Sequence, residues 1–145
     1  MARIEESVEI KRPVDRVFAY TIDAKNWSKW MSYIPAAEQT SQDPIGVGTT
    51  FKGSSHLLGH TNKWTAKTVE CEPNKSFGTD TTGPGIVMKE HYTYVSVNGG
   101  TKFTTAYDIR MHGLHRLSSL MVISAMRKEL KKSLINLKSI LETQD

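Results

Sequence analysis

Val8-Glu9-Ile10-Lys11-Arg12-Pro13-Val14-Asp15-Arg16-Val17-Phe18-Ala19-Tyr20, followed by Asp23-Ala24-Lys25-Asn26-Trp27-Ser28-Lys29-Trp30, decides how the rest of this chain is read. The first residues alternate like a strand and stop at a proline. Pro13 suits a first helical position, where the missing N–H would have no partner anyway. Val14, Val17, Phe18 and Thr21 then recur at helical spacing and form one apolar stripe. Asp23 is placed to cap a second short helix that carries Trp27 and Trp30. Two small helices directly after a first strand can close one end of a curved sheet. A closed, curved sheet encloses space, and enclosed space in a small protein commonly serves a ligand.

Composition bounds what can follow. With 145 residues, one domain spanning 1–145 is expected, long enough to bury a core without disulfide staples. The hydrophobic fraction of 38% and charged fraction of 23% fit neither a disordered nor a membrane-spanning chain. No run approaches the roughly 20 apolar residues of a spanning helix. Met1-Ala2-Arg3-Ile4-Glu5-Glu6 shows no apolar core of a secretory signal. Cys71 stands alone, so no internal disulfide and no cysteine-built zinc site is expected. A reducing cytoplasm is the expected compartment.

The net charge of +4 comes from 19 basic and 15 acidic residues, and the excess gathers in Arg127, Lys128, Lys131, Lys132 and Lys138. Such a cluster could attract an anionic membrane surface or nucleic acid. The plainer account is the solvated face of a helix, with cations favoured near its C-terminal end. Nucleic acid is therefore not expected as a partner, and contact with a membrane surface stays a weak alternative.

After the two helices, turn signals recur at short intervals: Asp43-Pro44-Ile45-Gly46-Val47-Gly48, Leu58-Gly59, Glu72-Pro73-Asn74, Gly83-Pro84-Gly85 and Asn98-Gly99. The stretches between them are rich in Val, Thr, Tyr and Phe. That spacing predicts an antiparallel meander of six strands, seven with the first. Asn98-Gly99 suits a two-residue type I′ turn, which fixes a register by counting outward from Val97 and Gly100. Tyr94 then faces Phe103, Tyr92 faces Thr105, Glu90 faces Tyr107 and Met88 faces Ile109, all on one side. The other side pairs Lys89 with Asp108, Val95 with Lys102 and Val87 with Arg110. The same exercise at Leu58-Gly59 sets Phe51 against Ala66 and Gly53 against Trp64, with Gly53 leaving room for the indole.

The chain ends in a long helix, from about Arg116 to Glu142. Leu120, Ile123, Met126 or Arg127, Leu130, Leu134, Leu137 and Leu141 step by three and four residues. At 1.5 Å per residue this helix spans about 40 Å and must lay its stripe on the lined face of the sheet.

Within this arrangement Glu90 is the first candidate for chemistry. A carboxyl desolvated on the lined face would hold its proton or need a donor. It could act as a general acid or base with Tyr92 or Tyr107, or anchor a ligand hydroxyl. The plain alternative is a carboxyl at the cavity mouth, hydrogen-bonded to Tyr107. Phe51, Trp64, Tyr92, Phe103 and Tyr107, with Met88 beside them, are candidates to line a ligand pocket, or else plain core. Met121 and Met126 lie on or beside the helix stripe and would suit a pocket of irregular shape. His56 with His60, and His112 with His115, have ligand-like spacings but flank turns and lack a third ligand, so no metal is expected. No phosphate loop follows Gly46 and Gly48, and no nucleophile elbow is present, so no cofactor is expected.

Four local patterns then add a resemblance. Asp23 with Trp27 and Trp30 resembles an Asp, aromatic, Trp pattern after a first helix; Gly46-Val47-Gly48-Thr49 resembles a Gly-x-Gly-Thr lead into a third strand. Val69-Glu70-Cys71-Glu72-Pro73 resembles a Val-x-x-x-Pro strand end, and Gly100-Thr101 a Gly-Thr that opens a last strand. In this order the patterns resemble the SRPBCC superfamily, the START-like or helix-grip proteins, and in particular its polyketide cyclase/dehydrase and lipid-transport branch. The resemblance covers nearly the whole chain. It implies an α+β helix-grip fold: a seven-stranded antiparallel sheet wrapped around a long C-terminal helix, with two short helices after strand 1. It also implies a cavity for a lipid, polyketide or aromatic metabolite, and no universal catalytic residue. The expected function is binding of a small, largely apolar ligand. One alternative is a cyclase/dehydratase-type enzyme acting on such a ligand. Another is an interaction module that uses its basic C-terminal helix. Neither the identity of the ligand nor the oligomeric state is legible in the residues.

Overall fold

The computed structural model describes residues 2–42, 44–113 and 119–144. Strand β1 (Ala2–Ile10) leads into helices α1 (Val14–Ile22) and α2 (Ala24–Trp30). Six strands follow: β2 (Ala36–Gln39), β3 (Thr50–Leu57), β4 (His60–Glu72), β5 (Ser76–Gly83), β6 (Ile86–Val97) and β7 (Gly100–Met111). Helix α3 (Ser119–Thr143) closes the chain. The strands form one antiparallel sheet in the order β1-β7-β6-β5-β4-β3-β2. The meander therefore runs edgewise from β2 to β7, and β1 is laid beside β7.

Both tight hairpins have the register that their turns dictate. Asn98 and Gly99 adopt φ of 41° and 80°, and Leu58 and Gly59 of 52° and 78°. These are the positive angles a two-residue hairpin turn needs. Glu90 pairs with Tyr107, Tyr94 with Phe103 and Lys89 with Asp108. Phe51 pairs with Ala66 and Gly53 with Trp64. Lys89 is exposed, and Asp108 receives Arg3 at 3.0 Å on the outer face.

In β4 a bulge between Thr68 and Glu70 shifts the alternation. Trp64, Ala66 and Thr68 point inward before it; after it Cys71, paired with Phe77, takes the inner side. Bulges bend the strand that carries them, which helps the sheet curl.

At the start of α1, Pro13 takes the N-cap rather than the first helical position, with ψ at 150°. Its carbonyl accepts from Arg16 and Val17 N–H. Asp23 caps α2, accepting the Lys25 N–H at 3.0 Å. In α3, Met126, Leu130, Leu134, Leu137 and Leu141 are buried as the stripe requires, joined by Ser133. Leu120 is not: it is 84% exposed. Arg116, where the helix was expected to begin, lies outside the described residues, as do Asp43 and His115.

The core sits where the two small helices and α3 meet the inner face. Trp30, fully buried, lies 6.1 Å from Phe103 and 6.3 Å from Tyr92 between ring centroids. Tyr92 and Tyr94 both stand 5.1 Å from Phe103. This packed end is solid. The other end of the inner face is not.

Candidate ligand cavity between sheet and helix

A cavity of about 560 Å³ opens between α3, α2 and the inner faces of β3 to β6. It exists because the filling residues run out. From the packed aromatic end, β6 presents Tyr92, then Glu90, Met88 and Ile86 toward the turn at Pro84. Facing them, α3 offers only Met126, Val122 and Met121. Trp64 and Ala66 of β4 and Phe77, Thr79 and Thr81 of β5 complete the sheet side. Trp27, Met31, Tyr33 and Ile34 form the wall beneath α2. Leu58 on the β3–β4 turn and Met121 on α3 line the cavity yet are 50% and 66% exposed, so they mark its mouth.

Of the candidates expected from sequence, Trp64, Met88, Glu90, Tyr92, Met121 and Met126 meet around this space. Phe51, Phe103 and Tyr107 do not line it. All three are inward-facing and essentially fully buried, but other side chains stand between them and the cavity. Phe51 lies under Trp27 at 4.8 Å, and Phe103 is enclosed by Trp30, Tyr92 and Tyr94. Tyr107 shares a 3.1 Å hydrogen bond with Tyr33, which takes the cavity wall in its place.

Sequence reasoning missed Trp27, Tyr33, Phe77, Thr79 and Thr81 as lining residues. The alternation of Phe77, Thr79 and Thr81 is the signal the residues carry; the pairing of Thr79 with Glu90 comes from the structure.

Glu90 holds the electrostatics of the site. Its carboxylate accepts from Thr81 Oγ1 at 3.1 Å and from Thr79 Oγ1 at 3.4 Å. The expected bond to Tyr107 does not form, because β5 offers hydroxyls on the other side and Tyr107 is engaged with Tyr33. Glu90 is part-buried and borders the cavity. Burial pushes its pKa up to about 7, although the Thr81 and Thr79 donors pull the other way. Burial also raises Tyr33, Tyr92 and Tyr107, and the nearby Glu90 charge adds to each. The tyrosines therefore stay protonated and serve as neutral donors.

His56 and His60 lie on different faces of their hairpin, and His115 lies outside the described residues. His56, with Nδ1 2.9 Å from Thr61 Oγ1, is on the outer face; His60 pairs with Leu57 and lies at the cavity mouth. Among the described residues no three His, Cys, Asp or Glu side chains converge on a metal-sized site. Nor is any helix among them long and apolar enough to cross a membrane. On α3, Arg127, Lys128, Lys131 and Lys132 are exposed, with Lys131 3.8 Å from Glu6. Lys138 is tied to Glu142 and the Glu9 carbonyl, both at 2.7 Å.

Comparison with known proteins places this geometry. Residues 1–142 match the family described as polyketide cyclase / dehydrase and lipid transport. A protein of Thermus thermophilus shares the fold with a TM-score of 0.84 at 13% identity, over 99% of this chain and 100% of that one. The Zhui aromatase/cyclase of Streptomyces sp. R1128 aligns with a TM-score of 0.78 at 14% identity, over 97% and 93% of the two chains. A protein of Chromobacterium violaceum aligns with a TM-score of 0.78 at 15% identity, over 99% and 100%. At such identities the likeness speaks for the fold alone, and that fold is the helix grip.

Proposed function

The chain belongs to the polyketide cyclase / dehydrase and lipid transport family, and from that premise we propose that it binds one small, largely apolar ligand between its sheet and α3. On this reading residues 1–145 act as a single domain. The observation that carries the proposal is the cavity of about 560 Å³, walled mainly by Trp, Phe, Tyr, Met, Ile and Val side chains around one carboxyl. Its volume falls within the usual range for drug-sized ligands, and its balance of apolar wall to few polar groups is that of a binding pocket. A neutral apolar fluorophore such as N-phenyl-1-naphthylamine should bind with a stoichiometry near one and be displaced by apolar competitors. Native mass spectrometry of protein from its own host should retain a bound small molecule. Absence of both would remove the proposal.

A second reading, an enzyme of the cyclase/dehydratase type, is favoured by one observation. Glu90 is held near a pKa of 7, where a general acid or base is most effective, close to protonated tyrosines. Replacing Glu90 with Gln would then cut turnover by roughly 10²–10⁴-fold while binding changes far less. We favour binding, because among the described residues no cation is paired with Glu90.

A further inference from the structure

Among the described residues that line the cavity, Glu90 is the one carboxyl group, and the basic ones, His60 and Lys63, are exposed residues at the start of β4. Glu90 stands one inward position from the fully packed Tyr92, so it is deep. A carboxylate has about four lone-pair directions. Thr81 and Thr79 fill two of them. The carboxyl borders the cavity that a ligand would occupy.

Three kinds of ligand head group can be compared there. A carboxylate accepts only, so it is repelled by ionised Glu90 and tolerated only beside the protonated form. An ammonium donates only, needs several acceptors, and must leave water for an apolar pocket at a cost that one ion pair rarely outweighs. A hydroxyl both donates and accepts, so it satisfies Glu90 in either protonation state. Both states are populated near neutrality, since burial holds the group at about 7.

We propose that the inner end of the ligand is an uncharged hydroxyl held by Glu90 beside Thr79 and Thr81, and that Glu90, when ionised, disfavours carboxylate-ended chains. The inference rests on the cavity being a ligand site and adds the class of ligand: an apolar alcohol or phenol rather than a fatty acid or an amine.

The test is displacement of N-phenyl-1-naphthylamine by 1-decanol, decanoate and decylamine at about pH 8.5, above the value of about 7 to which burial raises Glu90, where its carboxyl and decanoate are both ionised. Decanol should displace the probe at roughly a tenfold lower concentration than decanoate or decylamine, the scale of one hydrogen bond to a charged group. In Glu90→Gln the shape is kept and the charge removed. Decanoate should then gain at least about threefold relative to decanol, while the cost of desolvating its own charge keeps it the weaker competitor. Probe binding by the variant itself verifies that it is folded. Equal displacement by decanol and decanoate in the parent, an unchanged ratio in the variant, or tighter binding of decylamine would each overturn the head-group assignment while leaving the cavity intact. Failure of the probe to bind at all would overturn the cavity reading instead.

Discussion

Gly53 on β3 stands directly across from Trp64 on β4, and the indole occupies the space that a side chain at Gly53 would need. A Cβ at that position would lie 2.5 Å from Trp64 Cζ2 and 3.0 Å from the Ala37 Cα, and would also strike the Ala36 carbonyl. The glycine thus sets both the seat of a cavity-wall tryptophan and the approach of edge strand β2. Gly53→Ala should lower stability by about 1–3 kcal/mol, the usual cost of overpacking. Urea unfolding measures it. A variant as stable as the parent would show that the contact yields without strain.

Glu90 should make stability depend on pH. Its folded-state pKa is raised from 4.5 to about 7 by burial. The folded chain then binds more protons than the unfolded chain between those values, so stability falls as pH rises through that window. Below it the group is protonated in both states, and above it the loss is complete. At about pH 8 the Glu90→Gln variant should be more stable than the parent by up to about 2–3 kcal/mol. Near pH 4 the two should differ little. Parallel unfolding curves at both pH values would refute a destabilised carboxylate.

Tyr94 and Thr21 share a buried hydrogen bond of 2.6 Å, which pins α1 to the sheet. The two partners are not equivalent. Thr21 also donates to the Val17 carbonyl at 2.8 Å, whereas Thr21 is the hydrogen-bond partner found for the Tyr94 hydroxyl among the described residues. Tyr94→Phe should therefore cost about 1 kcal/mol, while Thr21→Val, which orphans a buried phenol, should cost about 1–3 kcal/mol. Equal losses from thermal or urea unfolding would argue against the asymmetry.

These contacts also show what the residues told in advance. Asn98-Gly99 specifies its turn by itself, and reading Leu58-Gly59 as a two-residue turn gives the second register, so the pairing of Glu90 with Tyr107 and of Gly53 with Trp64 could be counted from sequence. Counting gives the face of a side chain but not its depth. Phe51, Phe103 and Tyr107 share the correct face yet lie behind Trp27, Trp30 and Tyr33, whose positions depend on where α2 and the following segment dock. The partners of Glu90 were hidden for a related reason. Gly83-Pro84-Gly85 does not fix a register alone, so Thr79 and Thr81 could not be assigned to the strand beside it. Leu120 carries the helical spacing but is exposed, while Met121 and Val122 beside it turn to the cavity.

Filling the cavity separates binding from folding. Ala66 is buried on β4 and lines the open space, with Phe51 as its strand partner. A phenyl ring at Ala66 would project into the void rather than into packed atoms, so the overpacking penalty should be small. We expect Ala66→Phe to keep the parent's stability within about 1 kcal/mol. N-phenyl-1-naphthylamine affinity should nevertheless fall by at least roughly tenfold, since wall surface and volume are both lost to the probe. Lys67→Phe, one residue along on the exposed face, adds the same ring without touching the cavity and should leave affinity unchanged. If both variants bind like the parent, the probe sits elsewhere. If Lys67→Phe alone weakens binding, the outer face carries the site. Only selective loss in Ala66→Phe fits a ligand held between the sheet and α3.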